Sequence, residues 1–131
     1  MMTVLIGYSP TPEGEAAVHF GIRQAKAFGE DVLVLNAGEG REHDDPGIAT
    51  EQQKDHVLDI LKKSGVAFDL KQYVRGNDAA EEILQAAETA DVSIIVIGSR
   101  KRSPVGKLIM GSTAQRIILG SSKPVVSVKA D

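Results

Sequence analysis

The sequence predicts an open parallel α/β sheet, Rossmann-like, with helices on both faces. Three observations carry this. Short segments rich in Val and Ile alternate with segments of helical period. Several of the apolar segments are nearly unbroken, as strands covered on both faces are. Every link between successive strands is a crossover long enough for a helix, which is what parallel pairing requires.

The predicted strands are TVLIGY (3–8), DVLVLNA (31–37), FDLKQYV (68–74), VSIIVIG (92–98) and PVVSVK (124–129). The first, second and fourth are the near-continuous apolar runs. The third alternates, as an edge strand does. The fifth puts Val125, Ser127 and Lys129 on one face and Val126 and Val128 on the other. As the last strand of the sheet it leaves an edge that must be managed, and Pro124 and Lys129 suit a guarded edge.

Between the strands the apolar period becomes helical. Thr11-Pro12 gives an N-cap and an N1 proline, and Ala17, Val18, Gly21, Ile22, Ala25 and Phe28 form a stripe that Gly29 ends. Thr50 with Gln53 makes a capping box for a second helix striped by Val57, Leu58 and Leu61, closed by Lys62, Lys63 and Gly65. Asp78 with Glu81 opens a third helix carrying Ile83, Leu84 and Ala87. Ser112 with Gln115 opens a fourth carrying Ile117, Ile118 and Leu119. The polar connection 38–49 reads as mobile.

With 131 residues, the chain reads as a single domain, 1–131, large enough for its own core. Its 42% hydrophobic and 25% charged content argue against disorder. The absence of cysteine excludes disulfides and thiolate metal or redox sites. No apolar stretch is long enough to cross a bilayer, and the start has neither basic leader nor cleavage site, so the expectation is a soluble cytoplasmic protein without a membrane partner. A net charge of −3 and 4% aromatic content do not suit a nucleic-acid surface.

One stretch breaks the acidic balance. GSRKRSPVGKLIMGS, 98–112, holds Arg100, Lys101, Arg102 and Lys107 and no acid. It begins at the carboxyl end of the fourth strand, where open α/β sheets bind ligands, and ends at a helix start, whose free N–H groups and dipole attract anions. Gly111 permits close backbone approach, and the Ser112 hydroxyl can donate. A plain strand-end turn, a solvated loop and a Ser112 helix cap account for the same residues. Two other phosphate motifs fail. Gly106-Lys107 is preceded by Lys101 and followed by Leu108 where a Walker loop needs Gly and Ser or Thr. GEGREH, 38–43, has His43 for the third glycine of a dinucleotide fingerprint.

Nearly end to end, the chain resembles the universal stress protein family of adenine-nucleotide-binding α/β domains. That family's signature is Gly, two residues, Gly, nine residues, then Gly-Ser/Thr. Gly98, Gly111 and Ser112 fall at its places, as do IIVIGSR and GSTAQRIILGSSKPVVSVK around them; Gly76 after the third strand also fits. Two positions depart: Lys101 replaces the second glycine, and Ser9 stands where ATP-binding members usually carry aspartate. Lysine gives up glycine's backbone freedom for a point charge that can neutralise phosphate.

The resemblance implies sheet order 3-2-1-4-5 and a cofactor that is ATP or another adenine nucleotide, with or without Mg2+. Adenine would meet the main chain near Ala37, and Gly7 and Ser9 would lie under base and ribose. Ile97 and Gly98 would touch the ribose, and Lys101, Gly111, Ser112 and Thr113 would hold phosphates. It also implies a homodimer through 124–129, signalling through 38–49 or the dimer surface to a client protein. The alternative in the same family is a nucleotide-free dimeric interaction module, with Lys101 filling the phosphate site.

Other residues point elsewhere only weakly. His19, His43 and His56 lack the spacing of a zinc site. Asp44 and Asp45 lack a third cation ligand. Ser9 sits in no nucleophile elbow, and Glu13 and Glu15 suit a helix N-terminus without any catalytic role, so no enzyme is read.

Overall fold

The computed structural model describes residues 2–40, 46–89, 91–99 and 111–130. Its elements alternate as expected: β1 (Thr3–Gly7), α1 (Pro12–Phe28), β2 (Asp31–Gly38), α2 (Glu51–Ser64), β3 (Phe68–Val74), α3 (Ala79–Thr89), β4 (Val92–Ser99), α4 (Ser112–Gly120) and β5 (Val125–Lys129). All four pairings are parallel, in the order β3-β2-β1-β4-β5. β3 and β5 are the edges. Among the described residues no helix is long and apolar enough to cross a membrane.

Period-two strands sort their side chains between two apolar layers. Val4, Ile6, Val32, Val34 and Val96 meet Ala17, Val18, Ile22 and Ala25 of α1 and Val57 and Leu61 of α2. Leu5, Leu35, Ile95 and Ile97 meet Ala80, Ile83 and Ala87 of α3 and Ala114 and Ile117 of α4. Each fully buried Leu or Ile contributes about 1.5–3 kcal/mol. Val92 breaks the alternation. Thr3 pairs with Val92 but Val4 with Ile94, so Ser93 is an extra residue and Val92 turns to the α3–α4 side.

Local signals set the helix ends. The Thr11 hydroxyl accepts from Gly14 N–H at 3.0 Å, and Thr50 and Gln53 close their capping box. Asp78 accepts from Glu81 N–H at 2.9 Å. Gly29 and Gly65 end α1 and α2 in the left-handed conformation, at φ 67° and 79°.

Several expectations need correction. The cap of α4 is Gly111, without a side-chain bond, so Ser112 is the first helical residue and caps nothing. Ile117 is buried, but Ile118 and Leu119 are 39% and 86% exposed, because successive residues turn about 100° around the helix, away from the buried stripe. Phe28, at the last residue of α1, is 68% exposed. Leu58 is only half-buried. β1 stops at Gly7, since the Tyr8 carbonyl is taken by the Asn36 side chain. β2 and β4 each run one residue further than expected, and β5 starts after Pro124.

Of the polar connection 38–49, residues 41–45 lie outside the described residues, and with them His43, Asp44 and Asp45. Its last part is anchored: Asn36 Nδ2 donates to Gly47 O and Asn36 Oδ1 accepts from Ala49 N–H, both at 2.9 Å.

Candidate functional site

The chain leaves β1 for α1 on one face of the sheet and β4 for α4 on the other. Because β1 and β4 are neighbours, their carboxyl ends frame the crevice where crossovers diverge. A cavity of about 490 Å³ opens there. Gly7, Ser9, Ala37, Ile97, Gly98, Gly111, Ser112 and Thr113 all line it. Lys101 lies outside the described residues, as do Arg100, Arg102, Gly106 and Lys107.

Its glycines have different physical reasons. A Cβ on Gly7 would stand 2.6 Å from Ile83 Cδ1, the flexible tip of an α3 side chain that would have to shift. A Cβ on Gly98 would stand 2.4 Å from the Glu13 carbonyl oxygen, and one on Gly14 only 1.9 Å from that of Ser9. These glycines let the first turn of α1 sit down on the ends of β1 and β4. Gly111 meets nothing within 4 Å among the described residues.

The opposite wall hangs on Asn36, a polar residue 1% exposed in an apolar strand. Its amide nitrogen donates to the carbonyls of Tyr8 and Gly47, and its oxygen accepts from Ala49 N–H and Gln72 Nε2, each at 2.9 Å. One side chain thus ties the β1–α1 turn, the segment before α2 and β3. The residue-type signal was legible, a lone Asn in DVLVLNA, but its partners were not.

The electrostatics divide between the two ends. α1, α2 and α3 carry acids in their first turns, whereas α4 carries none and has no side-chain cap. Its first N–H groups lack intrahelical acceptors and are suited to an anion. Ser9 and Thr11 hydroxyls pair at 3.2 Å on the α1 side. Burial pushes the Tyr8 phenol up, and the Glu15 carboxylate adds to this, so the ring on the cavity wall stays neutral. Glu15 itself pairs with His56 at 2.5 Å, so this histidine is occupied by a carboxylate. Among the described residues no cluster of His, Asp and Glu could hold a metal ion.

Sequence reasoning missed Thr11, Glu13 and Ser99 as cavity-lining polar residues, and Ala79, Ile83 and Ile117 as its apolar wall. Thr11 and Ile117 had been assigned only structural parts, and position along the chain gives no hint that α3 reaches the crevice. Together the wall combines apolar surface, hydroxyls and free amides, which can hold a small molecule that is flat and apolar at one end and anionic at the other.

The family model of the universal stress protein family matches residues 1–129. A universal stress protein of Mycolicibacterium smegmatis is 44% identical over 126 residues, covering 96% of each chain. The structure of a universal stress protein from Archaeoglobus fulgidus is similar at TM-score 0.83 and 29% identity, covering 98% of this chain and 99% of that one. Another, of the universal stress protein from the same organism in complex with dAMP, is similar at TM-score 0.76 and 26% identity, covering 98% of each chain. With the matching sheet order and an end-to-end family match, the chain belongs to the universal stress protein family.

Proposed function

We propose that this chain is a stress-response regulator that binds an adenine nucleotide in the crevice between β1 and β4. One observation carries the reading. Eight residues drawn from four separate segments, Gly7 to Thr113, line a single cavity whose size suits a small ligand. The universal stress protein from Archaeoglobus fulgidus in complex with dAMP, a relative of the same fold, supports the choice of ligand class.

The residues fit such a group. Ala37, Ile83 and Ile97 offer apolar surface to a base, and the open start of α4 offers N–H donors and two hydroxyls to phosphates. Lys101 would add its charge to the same end. The regulator is a single domain, 1–131, cytoplasmic, and acts by binding a client rather than by catalysis. The exposed edge of β5 pairs with its copy across a two-fold axis, through 124–129.

Calorimetric titration with ATP, ADP, AMP and cyclic AMP tests this. Gly111→Asp places a carboxylate at the mouth of α4, where the backbone is extended (φ −62°, ψ 154°) and an added Cβ meets none of the described residues within 4 Å. It is expected to abolish binding while the fold survives. Absence of heat with every nucleotide at millimolar concentration would replace this reading with the nucleotide-free interaction module.

A further inference from the structure

Glu13 is the one charged residue among the described residues that line the cavity. It is half-buried in the first turn of α1, and its carboxylate has no hydrogen-bond or ion-pair partner among the described residues. Glu15, two residues further along α1, differs: it is paired with His56. Such a carboxylate on a ligand wall waits for a donor, because when ionised it only accepts hydrogen bonds.

We infer that Glu13 reads the sugar of the bound nucleotide by accepting from a ribose hydroxyl, and so selects ribonucleotides over deoxyribonucleotides. This rests on the nucleotide reading given above. Phosphate oxygens are acceptors and anions, so the carboxylate repels them. An adenine nucleotide offers donors only at its amino group and its sugar. Glu13 stands against Gly98: a Cβ on that glycine would be 2.4 Å from the Glu13 carbonyl oxygen and 3.0 Å from its Cβ. The proposed ribose position is the one beside Gly98, whereas the base lies toward Ala37. The nearby hydroxyls compete poorly for the role. Thr11 already accepts from Gly14 N–H and pairs with Ser9, leaving that pair largely satisfied by itself.

The test uses the full chain and calorimetry with AMP, 2′-deoxy-AMP and 3′-deoxy-AMP, with and without Mg2+. The parent is expected to prefer AMP over at least one deoxy form by about tenfold or more, as a hydrogen bond to a charged group allows. Glu13→Gln, whose neutral amide oxygen still accepts but more weakly, should lower that ratio several-fold, leave deoxy affinity equal or better, and leave the melting temperature in place. Glu13→Asp should keep part of the preference. Equal binding of all three by the parent overturns the inference while the site stands. So does a ratio that survives in Glu13→Gln, an equal loss for all three ligands, or an effect seen only with Mg2+. Failure of the parent to bind any of them overturns both readings at once.

Discussion

Gly98, at the carboxyl end of β4, lies so close under Glu13 that a single added methyl would stand 2.4 Å from the Glu13 carbonyl oxygen. The contact joins residues 85 positions apart and seats the first turn of α1 on the sheet. Gly111 belongs to the same sequence signature, yet a Cβ there would meet none of the described residues within 4 Å, and its φ is an ordinary −62°. Gly98→Ala should therefore cost about 1–3 kcal/mol in urea unfolding and distort the cavity. Gly111→Ala should stay within about 0.5 kcal/mol of the parent. Equal costs at both positions would contradict this division of labour.

Asn36→Leu keeps the volume of the side chain but removes four hydrogen bonds, at Tyr8, Gly47, Ala49 and Gln72. It leaves buried polar groups on three segments without this partner. The expected loss is about 2–4 kcal/mol by denaturant midpoint. Proteolysis should then cut first near residues 46–50, which Asn36 anchors. A variant as stable as its parent would show that water replaces the network at little cost.

Arg75 grips Glu82 with two hydrogen bonds, 2.6 and 2.8 Å, and lies 4.1 Å over the Tyr73 ring. The Glu82 side chain is fully buried while Arg75 is half-exposed. The hydrogen bond to Glu82 holds the guanidinium above its usual range. Arg75→Met strands a buried carboxylate and should lower the melting temperature clearly. Arg75→Met combined with Glu82→Leu should recover most of that loss, because no charge is left to desolvate. A double variant less stable than the single one would sink this account.

Asp78 caps α3 and pairs with Arg116 of α4, so it fastens together the two helices on that side of the sheet. Burial pushes its carboxyl up, but the Glu81 N–H, the Arg116 guanidinium and the Ala80 N–H together hold it below its ordinary 3.8. A carboxyl depressed in the folded state binds protons more readily once unfolded. Its stabilisation is thus complete above pH 3.8 and is lost as pH falls through the lower, folded value. Half-exposure of Arg116 limits the pair to no more than about 1 kcal/mol. Asp78→Asn keeps a good cap and should flatten this part of the acid-unfolding curve, while changing stability little once the pH has fallen below the folded value. An unchanged curve would mean that other carboxylates carry the acid sensitivity.

The alternation of strands and helices, the edge position of β3 and the caps at Thr11, Thr50 and Asp78 were legible in the sequence because each depends on neighbours within a few residues. So was the notion that Gly98 and Gly111 to Thr113 share a site, through the spacing of one signature. Ser112 misled, because a residue that can cap a helix need not occupy the cap. Ile118 and Leu119 misled because they turn away from the face that Ile117 buries, whereas Phe28 lies on the stripe of α1 and period shows only which residues share a helix face. It does not show whether another element reaches that far.

By itself, then, the sequence determined the order and type of its elements, the ends of α1 and α2 and the family to which they belong. The tertiary structure alone decided which glycine is a packing contact and which, among the described residues, is not, that Val92 turns to the other layer, that Asn36 ties three segments, and that Glu13 stands free in the cavity. Short-range preferences act along the chain and can be read along it. These other outcomes depend on atoms brought within a few ångströms from segments up to 90 positions apart, and only the folded path of the backbone sets that meeting.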